Sequence, residues 1–243
     1  MVKLVVLLMP KDDVDRDKYW KYWIEKHTSV HADPGIIRYL VSRVTEVEGG
    51  APDKMWGMAE IWYRDREAHD ADHRAIREGG PEIRQELEEF HTKLAWNWGG
   101  FMEEKVIYED AGYEQAYREG KKLHKLLVLL QLKEGINPDA FWKYWIEVHA
   151  PKHLNRPALR KYTVNRVTEV NERSDPSRLW GMSELWYDSR EAWDALRAQR
   201  GTDRDPLSDP EMRRGLQEFH SQLAWRAALI VEEKLIVGIG GTR

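Results

Sequence analysis

The chain has 243 residues and no cysteine. That removes disulfides, thiolate metal sites and a cysteine nucleophile together. Phenylalanine is scarce at four residues, against 12 tryptophans and 10 tyrosines. No excess of one charge exists either: lysine plus arginine total 38 and aspartate plus glutamate 42, a formal net charge of −4. Such a balance gives no broad positive field, so neither nucleic acid nor a membrane surface is expected as a partner. Long apolar runs are also missing. "LVVLLM" (Leu4 to Met9) stops at Pro10, lacks a small-residue cleavage site and recurs internally as "LLVLLQL" (Leu126 to Leu132). It therefore reads as a buried strand rather than a secretion signal, and it falls well short of the ~20 apolar residues of a membrane span. The default expectation is a cytoplasmic protein.

What the sequence does contain is aromatic and repeated. Rings with a polar edge suit a pocket wall that must be apolar yet able to donate a hydrogen bond, although the same rings also fill cores. "KYWIEKHTSVH" occupies Lys21 to His31, and "KYWIEVHAPKH" returns at Lys143 to His153. Lys3 aligns with Lys125 and His27 with His149. "RVTEV" recurs at Arg43 and Arg166, "WGMxExWY" at Trp56 and Trp180, "EFHxxLAW" at Glu89 and Glu218, and "EEKxI" at Glu103 and Glu232, all in preserved order. The offset drifts only at stretches such as "NRPA" and "RGTDRDPLSDP", where loop insertions cost little. Copies of this length are too long for a solenoid repeat. Two units are expected, 1–108 and 125–243, joined by the polar linker "EDAGYEQAYREGKKLH" at 109–124.

Within each unit the periodicities predict strand, helix, strand, strand, helix, strand. Lys3 to Met9 is a nearly continuous apolar strand. Asp15 to about Val30 is a helix with acidic residues at its start and with Trp20, Trp23, Ile24 and His27 on one face. Ile37 to Val47 and Lys54 to Tyr63 pair across the turn "EGGAPD". Arg66 to Glu78 and Glu82 to Asn97 are helical, and Phe101 to Tyr108 is the last strand. This is an α+β plan of two ferredoxin-like βαββαβ units fused in one chain. Helices cover one face of such a sheet, so a second copy is the expected cover for the other.

"FWKYWIEVHAPKH", followed by "LRKYTVNRV" and "LWGMSELWYDSREAWDAL", resembles the EthD-type branch of the dimeric α/β-barrel superfamily, and the first half resembles the same pattern slightly eroded. The resemblance implies two sheets facing each other to form a barrel with pockets between sheet and helices. It also implies a choice among cofactor-independent cyclases, isomerases, lyases, quinol-type monooxygenases and, more distantly, haem enzymes. The fold is better constrained by this than the reaction, because function lives in the site.

The third strand, "MWGMAEIWY", separates two faces. Met55, Gly57, Ala59, Ile61 and Tyr63 form one; Trp56, Met58, Glu60 and Trp62 form the other, repeated as Trp180, Met182, Glu184 and Trp186. A carboxylate among rings has a raised pKa suited to proton transfer. The bland reading is a structural ion pair of each glutamate with Arg43 or Arg166. His27 and His149 lie one turn past Trp23 and Trp145 on the apolar side of the first helix, where an imidazole can exchange a proton or simply pack against a carbonyl. His31 and His153 follow four residues later, at metal-ligand spacing on a continuous helix. Pro151 interrupts the second copy and no third ligand is dictated, so neither metal nor other cofactor is expected. Tyr39 with Arg43, and Tyr162 with Arg166, project one way from the second strand and could polarise a carbonyl. His91 and His220 are expected to pack, and His69 and His73 to lie on a solvated helix.

The leading expectation is a cofactor-independent lyase, isomerase or cyclase acting on a small aromatic or polyketide-like molecule. His27, His149, His31, His153, Glu60 and Glu184 would move protons between walls of Trp23, Trp145, Trp56, Trp180, Trp62 and Trp186. The alternatives are an oxygen-dependent monooxygenase or haem protein, and a non-catalytic binder of hydrophobic ligands. Of the two halves the second stays nearer the family phrase, and a homodimer of the fused chain is expected through exposed strand edges.

Overall fold

The apolar run that opens the chain forms β1 (Val2–Pro10), buried at nearly every position. A computed structural model describes residues 1–31, 33–48, 55–172, 174, 175, 179–199 and 209–238. The turn "EGGAPD" and the insertion "RGTDRDPLSDP" lie almost wholly outside these residues. After β1 come α1 (Arg16–Glu25), a 3-10 turn (His27–Val30), β2 (Ile36–Glu48), β3 (Gly57–Tyr63), α2 (Arg66–Glu78), α3 (Pro81–Thr92) and β4 (Leu94–Glu109). The helix starts follow capping chemistry: Asp15 accepts from the Lys18 N–H and Asp65 from the Ala68 N–H, satisfying donors that a helix leaves unpaired.

The stretch 109–124 folds into a short helix, α4 (Tyr113–Arg118), whose Tyr113 is wholly buried. The second half repeats the order as β5 (His124–Leu132), α5 (Pro138–Tyr144), β6 (Leu159–Val170), β7 (Gly181–Tyr187), α6 (Arg190–Ala198), α7 (Pro210–Ser221) and β8 (Leu223–Val237). Between α5 and β6 the chain makes a π turn (Trp145–His149) and then a 3-10 turn (Ala150–His153). The single helix expected to run to Val30 in the first half is likewise cut short, at Glu25.

The expected pair of ferredoxin-like βαββαβ units with sheets laid face to face is not what the chain forms. All eight strands join edge to edge in one closed antiparallel barrel, in the order β1-β3-β2-β8-β5-β7-β6-β4, with helices outside it. The class is α+β. The reason lies in strand length. β2, β4, β6 and β8 run to 13, 16, 12 and 15 residues, against 7 to 9 for the other four. They extend far enough to pair across halves, β2 with β8 and β4 with β6. Edge strands carry unpaired N–H and C=O groups, and closure removes those edges. "LAWN" at 94–97, expected as a helix end, is the start of β4 and part of this reach.

Two aromatic layers fill the space between barrel and helices. In the first half Trp20 and Trp23 pack on Trp56, and in the second Trp142 and Trp145 pack on Trp180. Trp56 and Trp180 precede β3 and β7, so the strand alternation expected of them does not apply and they turn to the helices. A third cluster, including Val5, Leu7, Met58, Leu127, Leu129, Met182 and Leu229, fills the barrel. No helix among the described residues is long and apolar enough to cross a membrane.

Gly181 pairs with Arg166 across β7 and β6, and a Cβ there would lie 2.6 Å from the Asn165 carbonyl oxygen. Backbone cannot yield as a side chain can. Gly181→Ala should cost on the order of 1–3 kcal/mol, read as a lower urea midpoint; an unchanged midpoint would show that β7 has room to shift.

Candidate active site

Alternation along β7 sends Glu184 into the barrel and Ser183 and Leu185 toward the helices. Glu60 and Glu184 are both fully buried and meet two buried lysines that sequence reasoning passed over, Lys3 and Lys125. Lys3 Nζ donates to Glu104 Oε2 (2.8 Å), Asn165 Oδ1 (3.0 Å) and Glu184 Oε2 (2.6 Å). Lys125 Nζ donates to Glu60 Oε2 and Glu233 Oε2, both at 2.6 Å, and lies 2.7 Å from Glu184 Oε1. Trp62 and Trp186 roof the two ammonium groups at 4.5 and 4.6 Å, and their indoles donate to Glu104 and Glu233.

Protonation follows from counting donors. An ammonium has three N–H groups, and those of Lys3 are taken by Glu104, Asn165 and Glu184. Glu60 Oε1, 2.9 Å away, is left without one. Burial and the neighbouring Glu184 push the Glu60 carboxyl up to about 7, the two lysines only partly opposing them. For Glu184 burial also disfavours ionisation, but Lys125 and Lys3 outweigh it and hold this carboxyl well below its ordinary value. The pair thus retains one proton, on Glu60, through the acid range. The expected ion pairs with Arg43 and Arg166 do not form. Arg43 pairs with Asp17 and Glu232 and stacks on Trp20; Arg166 pairs with Asp139 and Glu103 and stacks on Trp142. Both arginines lie outside the barrel, away from the histidines.

The other candidate site lies on the opposite side of the second-half strands. A cavity of about 690 Å³ opens there, with Trp145, His149, His153, Arg156, Tyr162 and His220 in its wall. The π turn and the 3-10 turn after it bring the two histidines together, Nε2 to Nε2, at 3.1 Å. Such turns recur at functional sites because they re-aim side chains. Arg156 Nη2 contacts His153 Nδ1 at 2.6 Å. A guanidinium only donates, so His153 Nδ1 must accept and its proton resides on Nε2. That N–H donates to His149 Nε2, which fixes the His149 proton on Nδ1. This tautomer is assigned from the network.

His149 Nδ1 is buried and has no partner among the described residues. The ring itself stacks on Phe219 at 3.6 Å. Burial, with neighbouring His220, Lys152 and Arg156 each disfavouring a second positive charge, pushes the His149 imidazole down to about 3. His153 is held well below its ordinary value by burial and by Arg156. His220, half-buried in the same wall, is lowered to about 4 by burial and Arg226. Sequence reasoning assigned His220 to packing. Arg156 carried no repeat signal, because its copy position falls in the drifting segment.

The first half arranges the same residues differently. His27 stacks on Phe90 at 3.5 Å, and burial lowers it to about 2. His31 Nδ1 lies 2.8 Å from Asp72 Oδ2, which also accepts from the Tyr63 hydroxyl at 2.8 Å. Burial opposes ionisation of Asp72, but those two hydrogen bonds outweigh it and hold its carboxyl below the ordinary value. The rings of His27 and His31 are 6.3 Å apart, against 4.8 Å for His149 and His153. Tyr39 and Tyr162 are buried with their rings edge-on to His31 and His153. His69 and His73, expected on a solvated face, are half-buried, with His69 packed edge-on to Phe101. The structure therefore gathers His149, His153, Tyr162 and Trp145 in one cavity wall, and gathers Glu60, Glu184, Trp62 and Trp186 in the barrel. It does not bring these two sets together.

Residues 133–211 match the EthD domain model. No curated protein sequence matches the chain. Among solved structures, a candidate monooxygenase from Lactobacillus acidophilus NCFM is similar with a TM-score of 0.55 at 13% identity, over 99% of this chain and 97% of its own. An anthrone oxidase-like protein gives 0.58 at 15% identity, over 100% and 96%. A candidate monooxygenase from Fusobacterium nucleatum subsp. nucleatum gives 0.57 at 10%, over 99% and 95%. At such identities the likeness is one of fold.

The shared proton in the barrel has a measurable consequence. A carboxyl whose folded pKa is raised favours folding fully below its unfolded pKa of 4.5, and that contribution is lost as pH rises through about 7. Glu60→Gln should therefore gain thermal stability relative to the parent as pH rises across this window. Parallel melting curves for the two proteins would show instead that Glu60 is ionised throughout.

Proposed function

We propose that the protein is an enzyme, EthD-type in both halves (1–108 and 125–243, linked by 109–124), and that its second-half cavity binds a small aromatic or polyketide-like molecule. Proton transfer needs no cofactor in this reading. The observation that carries it is the pairing, in one cavity wall, of a fixed N–H donor on His149 with an unprotonated His220, their rings 6.4 Å apart. His220 would take a proton from a carbon next to a carbonyl, or from a phenol. The oxygen that gains charge would accept from His149 Nδ1–H, which replaces the water it leaves behind. Arg156 and His153 act as positioning residues, because they decide which nitrogen of His149 bears hydrogen. Trp145, Phe219 and Leu185 would hold the flat body of the substrate and exclude solvent. Glu60 and Glu184 have no contact with this wall, so the reading gives them the barrel rather than the reaction.

A second reading adds dioxygen. It is favoured by the fold likeness, over nearly the whole chain, to proteins described as candidate monooxygenases and as anthrone oxidase-like. The same deprotonation would then yield a carbanion that reduces oxygen directly. A methylene and O₂ become a carbonyl and water, with the electrons coming from the two C–H bonds.

Anthrone serves as the probe for both. Loss of deuterium from its methylene in water, faster with enzyme than in buffer, is the expected result, and oxygen uptake matched to anthraquinone formed would select the oxidative form. His220→Gln should slow the enzymatic exchange by about 10²–10⁴-fold, the usual worth of a general base. Exchange at the buffer rate with the parent protein, or an unaltered rate in both His220→Gln and His149→Gln, would defeat the proposal.

A further inference from the structure

The two halves differ most where their histidines meet charge. In the first, Asp72 pairs with His31, and Glu86 Oε1 lies 3.6 Å from His27 Nδ1. Aligned through "WGMxExWY" and "EFHxxLAW", these two carboxylates correspond to Leu196 and Gly215. The second half has therefore lost both anions while keeping both histidines. It has gained cations in their place. Arg156 binds His153 and Tyr187 and has no carboxylate partner among the described residues. Lys152 lies over Gly215 so closely that a Cβ there would meet its Nζ; its ammonium stands where the copy carries the Glu86 side chain. Arg226, exposed in the cavity wall and likewise without an ion pair among the described residues, replaces Asn97. Arg197 is different, being neutralised by Glu46 and Glu48.

We infer that the second-half cavity is an anion site, and that its occupant is a small aromatic carboxylate whose charged oxygens take the place of the first half's own acidic side chains. The inference rests on the cavity being the substrate site and specifies the charge of that substrate. Three observations point the same way. A buried imidazole N–H on His149 lacks an acceptor, and leaving such a donor unmet costs about 1–3 kcal/mol. The permanently charged neighbours that act on His149 and His153 are both cationic: Lys152 and Arg156. This concentration occurs in a chain whose net charge is −4, so it is local rather than a property of the whole surface. A guanidinium at the mouth suits a carboxylate because its planar fork can meet both oxygens. The apolar part of the wall, with Trp145, Leu185 and Phe219, suits a ring system behind that charge.

The test compares 1-hydroxy-2-naphthoate with 1-hydroxy-2-naphthamide, which differ in charge but hardly in shape, by calorimetry on the full chain. The acid should bind at least about tenfold tighter, the worth of one charge-assisted hydrogen bond. That advantage should shrink in about 0.5 M salt, where screening is strong. Arg226→Gln, at an exposed position that leaves the core intact, should remove most of the preference while leaving amide binding alone. Lys152→Gln should do so in part. Equal affinity for acid and amide, or a preference that survives both substitutions, overturns the inference. Because no turnover is measured, selective binding without any chemistry would count against the proposed enzyme and not against the anion site.

Discussion

Period-two alternation along the central strands governs the chemistry of this protein. In β7, Glu184 turns to the barrel axis while Ser183 and Leu185 on either side turn to the helices, and β3 repeats the division around Glu60. One backbone wall thus separates two polar systems. Inside the barrel, two ammonium groups meet three carboxylates and the Glu60 carboxyl under two indole roofs. Outside it, imidazoles line a cavity whose two carboxylates, Glu46 and Glu48, are engaged by Arg197 and leave Arg156 and Arg226 without an anionic partner among the described residues. The sheet keeps the barrel's acidic groups from reaching Arg156 and Arg226.

The buried lysine and glutamate lattice is costly in isolation. Taking charges from water is repaid only where the remaining donors and acceptors find partners. Here nearly every one does: Thr163 and Asn165 also reach Glu184, and Tyr117 donates to Glu233. Because each lysine comes from one half and contacts the glutamate of the other, the lattice specifies how the two halves face one another across the axis. An apolar filling would leave that register to shape alone.

Much of this was legible in the sequence, and the failures have physical causes. The burial of Glu60 and Glu184 followed from their apolar neighbours, and the gathering of His149 with Trp145 and Tyr162 from helix and strand periods. Strand pairing between the halves was not legible, because hydrophobic alternation reports which face is buried and says nothing of which edge is paired. Trp56 and Trp180 were misplaced for a related reason: alternation holds only while the strand lasts, and both residues precede it. Lys3 and Lys125 could have been found. A lysine kept in both copies of an otherwise apolar strand is anomalous, since lysine is rarely buried unpaired. The role of Arg156 could not have been found, because it depends on a π turn that no period announces.

Closure of the ring also orders events in time. β2 pairs with β8, the last of the described strands. While the N-terminal half leaves the ribosome, its outer strands β2 and β4 pair on one side only, with β3 and β1, and their other edges wait for partners; contacts this distant in sequence form slowly. The C-terminal strand therefore acts as a latch. Until it arrives the nascent polypeptide carries two sticky margins, and a truncation that removes it would leave a species prone to clump rather than a smaller working protein.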